Sequence, residues 1–351
     1  MGMILKEVSL DNFEGAVSNG VVRNIRMQNS NWMEVLLTNY GPTVLEIKIP
    51  DKESKLISVL LGYPTLAGYV SDPSYQGRIA VGRVANRIGN AQYKQPDYTH
   101  AAPDGIVKLL ANNGEHTLHG GPEGWSSKVW DVGDSYKSND KASISFGLLS
   151  EHLEQGFPGK VHARVIVTLT NNNELIFEYV AITGRTTPIN PTMHGYFNLE
   201  GLDATVHKHL LRTNADRYLV VDGTLIPTGE ILSVEGTRYD FRKEKEIGKD
   251  FGKEGYDNCF VFPKSNAGSW VRVVSPKTNI AMTMDTDQPA VQLYTYFFLG
   301  KPFKQFSGFC LEAQQLVNAV NNQKWWSEFG NPFTKPSEPY KQRTVYKFDM
   351  I

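Results

Sequence analysis

The 351-residue chain balances 36 Lys and Arg against 37 Asp and Glu, a formal net charge of -1, which gives no electrostatic ground for a nucleic-acid or anionic-membrane partner. Hydrophobic residues make up 40% and charged residues 21%, and 17 Phe, 16 Tyr and 6 Trp supply enough burial to exclude disorder as the main state. Two cysteines, Cys259 and Cys310, are too few for a disulfide framework or a Cys-rich zinc site; their apolar neighbours predict buried free thiols.

Along the chain, Met1-Gly2-Met3-Ile4-Leu5-Lys6 lacks the apolar core of a signal peptide, and no apolar run approaches the roughly 20 residues that span a bilayer. A cytoplasmic enzyme or binding protein is the expectation. Short strands are predicted at Val44–Ile49 and Lys55–Leu61. Gly77 to Ile88 then sets Arg78, Arg83 and Arg87 in a mostly apolar, Gly-spaced stretch, where planar guanidinium forks suit carboxylates, sugar hydroxyls or structural ion pairs. His116 and His119 follow, with Gly120-Gly121 behind them allowing close backbone approach to a ligand; a plain polar turn fits equally well.

A strand at Ser143–Leu149 precedes the clearest element. In Val161 to Thr170 the odd positions Val161, Ala163, Val165, Val167 and Leu169 are apolar, Asn171-Asn172-Asn173 forms a turn, and Leu175, Phe177, Tyr179 and Ala181 alternate beyond it. This is a β-hairpin pattern. Further strands are predicted at Trp270–Val274, Ile280–Met284 and Val291–Phe298, and no long amphipathic helix competes. Many short strands separated by turn residues point to an all-β antiparallel sandwich or barrel, built as one large domain over residues 1–351.

Histidine is the scarce chemical resource, with eight in the chain. His207-Lys208-His209 would set two imidazoles on one face of a strand; an exposed polar face is favoured there over a metal site, because no acidic or Cys ligand accompanies them. His194 lies amid Met193, Gly195, Tyr196 and Phe197, and Glu312 follows Phe309-Cys310-Leu311. An imidazole and a carboxylate in apolar surroundings have perturbed pKa values and suit proton transfer, although each also reads as a satisfied core histidine or a strand-end residue. Asp257 and Asn258 form a polar pair between aromatic residues. Nucleotide-binding glycine loops, zinc-protease helices, serine-hydrolase elbows and Cys-x-x-Cys pairs are missing from the sequence.

Taken together, Gly82-Arg83-Val84-Ala85-Asn86-Arg87-Ile88, Leu118-His119-Gly120-Gly121 and Thr192-x-His194-x-Tyr196-Phe197-Asn198-Leu199 closely resemble the aldose 1-epimerase (galactose mutarotase) family. Supporting pieces follow in order: Ile226-Pro227-Thr228-Gly229, Tyr239-Asp240-Phe241-Arg242, Asp257, Gln292-x-Tyr294-Thr295, Leu311-Glu312-x-Gln314 and the closing Thr344-x-Tyr346-x-Phe348. The resemblance implies a large antiparallel β-sandwich of the galactose mutarotase type. It implies Glu312 as general base, His194 as general acid, and Asn86, Arg87, His119, Tyr196, Asp257 and Gln292 as residues at the sugar. Met193, Gly195, Tyr296 and Phe297 depart from the family pattern at the edges of the pocket.

The implied reaction interconverts the α and β anomers of a free hexose such as galactose or glucose. A base takes the anomeric hydroxyl proton, an acid protonates the ring oxygen, the ring opens, the C1–C2 bond turns and the ring recloses. No cofactor and no metal are expected. The partner is a small monosaccharide, with neither nucleic acid nor membrane, and the protein is a monomer or homodimer. A bell-shaped pH profile is implied, with Glu312 setting the acidic limb and His194 the basic limb; Trp125 is available to cover the sugar's C–H face. Alternatives on the same fold are a hexose-6-phosphate epimerase using Arg78 or Arg83 for the phosphate, and a sugar-binding protein without turnover. A glycosidase is disfavoured because no second carboxylate stands in a motif.

Overall fold

The alternation at Val161–Thr170 and Glu174–Thr183 becomes an antiparallel hairpin with Leu169 opposite Leu175 and Val161 opposite Thr183. Val161, Ala163, Val165, Val167 and Leu169 are buried and His162 and Arg164 exposed, as a strand with one wet face requires. Asn173 closes the turn in the left-handed region with φ 57°, which Asn tolerates better than most residues. This computed structural model describes all residues except 1, 14, 18–19, 72–73, 98–103, 265–267 and 296–301. His100, Tyr296 and Phe297 therefore lie outside the described residues.

Among the described residues the strands form three main sheets. A nine-stranded sheet runs Asp131–Lys137, Lys141–Ser150, Val161–Thr170, Glu174–Thr183, Tyr340–Met350, Ile280–Thr286, Ser269–Val274, Leu210–Thr213 and Lys245–Glu246. A seven-stranded sheet runs Ile4–Val8, Asn24–Gln28, Glu34–Thr38, Thr43–Pro50, Arg78–Val81 and Thr192–His194, with Leu56–Ser58 branching from Thr43–Pro50. A five-stranded sheet runs Pro227–Ser233, Arg217–Val221, Asp257–Val261, Ala290–Tyr294 and Cys310–Gln314. Val35, Ile47 and Ile79 from the second sheet, Val165, Phe177 and Val273 from the first, and Phe260, Leu293 and Leu311 from the third share one buried cluster. Among the described residues the α-helices are two short ones, Leu66–Ser71 and Trp326–Phe329, and neither is long and apolar enough to cross a membrane.

Several local readings change. Val206–Lys208 is a 3₁₀ turn, not a strand: His207 packs on Phe251, and His209 is fully buried with Nε2 accepting the Leu199 N–H at 3.0 Å. The two imidazoles share no exposed face. Trp125 lies in the core, and a Cβ on Gly82 would meet its ring at 2.7 Å. The glycines after His119 serve the chain itself: Gly120 has φ 89°, and a Cβ there would sit 2.0 Å from the Gly82 carbonyl oxygen. Both cysteines are free and buried, as expected.

The site forms where sheet edges meet. Thr192–His194 ends the seven-stranded sheet and Cys310–Gln314 ends the five-stranded sheet. Thr192 Oγ1 donates to the Ala313 carbonyl at 2.9 Å, and Phe197 and Phe309 exchange backbone hydrogen bonds at 2.8 and 2.9 Å. These links hold the edge carrying His194 against the edge carrying Glu312.

Candidate active site

Strand alternation aims the polar side chains of the five-stranded sheet at one face. Glu312 lies opposite Gln292, which lies opposite Cys259; Cys310 lies opposite Tyr294, which lies opposite Asp257. Residues two apart share a face, so Cys310, Glu312, Gln292, Tyr294 and Asp257 point together. From another direction, the two-residue strands Arg87–Ile88 and Thr117–Leu118 pair antiparallel and deliver Asn86, Arg87 and His119. The His119 N–H donates to the Asn86 carbonyl at 3.0 Å, and the Asn86 N–H donates to His119 Nδ1 at 3.1 Å. Asn86 and His119 both hold left-handed backbone, φ 58° and 52°. Such strained non-glycine positions collect where surrounding structure fixes a functional geometry.

Asn86, Arg87, His119, Asp257, Tyr294 and Glu312 line a cleft of about 220 Å³ with Ser74, Tyr75 and Leu118. That is below the roughly 300 Å³ at which sites for drug-sized ligands begin, and it matches a small ligand. Seven of the eight site residues expected from sequence border it: Asn86, Arg87, His119, His194, Tyr196, Asp257 and Glu312. Gln292 stands behind Asp257 instead, donating from Nε2 to Asp257 Oδ1 at 2.6 Å. Two larger surface hollows, one beside Trp326 and one between Leu5 and Tyr136, hold no comparable buried acid and base.

At the floor, His194 Nε2 stands 3.4 Å from Glu312 Oε1, with side chains only 5% and 2% exposed. Burial drives both toward their neutral forms. It pushes the Glu312 carboxyl well above the usual carboxylate range, with the Asp257 charge adding to the rise and Arg87 opposing it. It lowers His194 to about 3. Glu312 Oε2 is buried without a hydrogen-bond partner among the described residues, so one lone-pair site of this carboxyl faces no donor. Cys310 Sγ lies 3.7 Å from His194 Nδ1, and burial first, then the Glu312 charge, keeps the thiol protonated. In the tautomer that holds its proton on Nδ1, facing the sulfur, the Nε2 lone pair faces Glu312 and can take up a proton there.

His119 plays a different part. Its Nδ1 accepts a backbone N–H, so the neutral ring carries its proton on Nε2, and burial first, with His194 and Arg87 adding, keeps it neutral. It is a fixed hydrogen-bond donor. His119, His194 and Glu312 bring one candidate ligand atom each within 4.8 Å, which resembles a His₂Glu zinc set. The protonated Nε2 of His119 has no lone pair to give, so that set loses one of its three members.

Neither Arg78 nor Arg83 reaches the cleft. Arg78 donates to the Tyr40 and Tyr69 carbonyls and to Thr43 Oγ1; Arg83 donates to the Pro158, Gly159 and Glu151 carbonyls and to Ser150 Oγ. Both are buried cross-braces, and among the described residues Arg87 is the one arginine lining the cleft. Asp257 supplies the cleft with a second carboxylate. Its pKa is pushed up by burial while Arg87 and the Gln292 amide pull it down. Met193 and Gly195 are coupled: a Cβ at Gly195 would meet Met193 Cε at 2.4 Å, so Met193 fills the space a side chain there would take.

Cys310 and Tyr294 were legible as residues two positions from Glu312 and Gln292 on alternating strands. Tyr75 was not, since Asp72-Pro73-Ser74-Tyr75-Gln76-Gly77 reads as a turn.

Fold and site thus define a class: a β-sandwich that buries one imidazole and one carboxylate at the floor of a monosaccharide-sized cleft lined with hydrogen-bonding side chains. The family model for aldose 1-epimerase matches residues 23–347, and the chain belongs to that family. It is 35% identical over 344 residues to galactose mutarotase of Bos taurus, covering 94% of this chain and 95% of that one. It is 36% identical over 339 residues to aldose 1-epimerase of Haemophilus influenzae, covering 92% and 95%. Among solved structures, galactose 1-epimerase from Lactobacillus acidophilus superposes with a TM-score of 0.84 at 25% identity, and an aldose epimerase homologue from C. elegans with 0.83 at 29%, each covering 99% of both chains.

Proposed function

We propose that this protein interconverts the α and β anomers of free hexoses, with Glu312 as the base and His194 as the acid. The observation that carries the reading is the 3.4 Å separation of His194 Nε2 and Glu312 Oε1 at the floor of the cleft. The two oxygens that exchange protons in ring opening, the anomeric hydroxyl and the ring oxygen, are bonded to the same carbon. An acid and a base that serve both must be near neighbours. A glycosidase instead holds two carboxyl groups about 5–9.5 Å apart, across the scissile bond.

The unliganded pair carries one proton, and burial places it on Glu312. An anomeric hydroxyl donating to the unpartnered Oε2 stabilises the carboxylate, and the proton then favours His194. The base removes the hydroxyl proton as the imidazolium protonates the ring oxygen. After rotation about C1–C2 the same two transfers run backwards, so the pair resets itself with no net proton uptake. His119 Nε2–H, the Arg87 guanidinium and the Asn86 and Asp257 side chains hold the remaining hydroxyls. Gln292 acts through Asp257 by fixing its carboxylate. The reading treats the chain as one domain acting on a small sugar in the cytoplasm, as monomer or homodimer.

Two outcomes test its limits. Because Arg78 and Arg83 are committed to carbonyls inside the fold, free hexoses should outperform hexose 6-phosphates in kcat/KM when the relaxation of freshly dissolved sugar is followed by polarimetry. A higher value for glucose 6-phosphate would move the assignment to a phosphosugar epimerase. Proton transfer between two side chains needs no Lewis acid, so activity should survive exhaustive chelation. Loss on chelation, restored by added zinc, would turn His194 and Glu312 into metal ligands.

A further inference from the structure

Every cleft residue assigned so far recognises hydroxyls or moves protons, yet a hexose ring also presents C–H bonds that lose hydration when it binds. A flat aromatic surface is the usual complement. Trp125, the sequence-based candidate, is in the core. Among the described residues three tyrosines line the cleft: Tyr75, Tyr196 and Tyr294. Tyr196 is almost fully buried, its hydroxyl donating to the Ser74 carbonyl at 2.7 Å. Tyr294 packs edge-on to Tyr196 at 6.2 Å. Tyr75 is half-buried and sits over both histidines, its ring centroid 4.5 Å from His119 and 5.8 Å from His194.

The backbone holds that ring there at a cost. Tyr75 has φ 63°, the left-handed region that an aromatic residue rarely enters. The turn is pinned on both sides: the Arg78 N–H donates to the Tyr75 carbonyl at 3.1 Å, and Tyr196 holds the Ser74 carbonyl. Asn112 clamps Leu118 through its N–H at 2.7 Å and its carbonyl at 3.0 Å. Its ring contact with His119 sets Tyr75 against the residue that follows the short strand Thr117–Leu118.

Resting on the acid–base reading above, we propose that Tyr75 is a specificity-determining residue: its ring, poised over His119 and His194, is the platform on which the C–H face of the hexose lies. A galacto-configured ring presents C3–H, C4–H and C5–H side by side on one face, whereas in a gluco ring the corresponding C–H bonds alternate between faces. The platform therefore favours galactose over glucose. Its contribution is to binding, because the C–H face is the same before and after ring opening.

The test compares wild type, Tyr75→Gly, Tyr75→Phe and Tyr75→Trp by polarimetry on α-D-galactose and α-D-glucose, with Tm measured on each. Glycine removes the ring and suits the left-handed backbone, so the variant keeps its fold. Tyr75→Gly should raise KM for galactose by about 10-fold, the upper end of what one aromatic contact supplies, and should raise it less for glucose, with kcat near wild type. Tyr75→Phe and Tyr75→Trp should restore the galactose KM to within about 3-fold of wild type. An unchanged galactose KM in Tyr75→Gly overturns the inference while leaving the acid–base reading intact. So does an equal fall in kcat for both sugars with a lowered Tm, which is the signature of a structural role. An inactive wild type overturns both.

Discussion

Glu312→Gln is expected to lower kcat for anomer interconversion by about 10²–10⁴-fold, the usual contribution of one well-placed proton-transfer group. The amide keeps the size of the side chain and removes its basicity. The same change should stabilise the fold at alkaline pH. Burial raises the folded-state pKa of Glu312, so its favourable contribution is fully present below the unfolded value near 4.5 and is lost as pH rises through the raised one. Above that point wild type holds a buried charge that the glutamine variant lacks. Thermal unfolding at pH 8 should therefore give a higher Tm for Glu312→Gln than for wild type, while activity moves the other way. A variant with near-wild-type kcat would transfer the base to another carboxylate, and Asp257 would be the first to examine.

His194→Asn is expected to cost about 10²–10⁴-fold in kcat as well, and the double variant should lose less than the product of the two single losses. Ring opening needs both transfers on one substrate, so removing either partner already disables the pair. The pH dependence carries a correction. Sequence reasoning gave the acidic limb to Glu312 and the basic limb to His194. Burial reverses that order in the free enzyme: His194 is lowered to about 3 and Glu312 is raised well above its ordinary value. The active pair carries one proton in all, and the two limbs belong to the pair. Activity in kcat/KM should fall on the acid side only as His194 gains its proton, and on the alkaline side as Glu312 loses its own. The check is kcat/KM against pH, taken as far down as the protein stays folded. An acidic limb near the ordinary histidine value of about 6.5 would contradict the assignment.

The long strands were legible because their burial is periodic. In Val161–Thr170 and Glu174–Thr183 every odd-numbered position is buried, and the turn between them is three asparagines. Pairs of two-residue strands such as Arg87–Ile88 with Thr117–Leu118 are too short to show a period, yet they position three site residues. His194 and Glu312 could be nominated because a lone polar group in an apolar run demands an explanation. Arg78, Arg83 and the Gly120-Gly121 pair drew the same attention for structural reasons. An arginine buried against carbonyls and a glycine pressed against neighbouring backbone look, in sequence, like ligand-binding features. Tyr75 had no signal at all: its importance comes from a left-handed backbone and from ring contacts with His119 and His194, both products of the folded chain.

The central claim is that His194 and Glu312 together catalyse ring opening. It is tested most directly by the optical rotation of freshly dissolved α-D-galactose after adding equal concentrations of wild type or Glu312→Gln. Wild type should bring the rotation to its equilibrium value well before the buffer control, and Glu312→Gln, folded by its Tm, should follow the control within about one part in 10² of the wild-type rate. Equal acceleration by the two proteins, or none by wild type, would contradict the account.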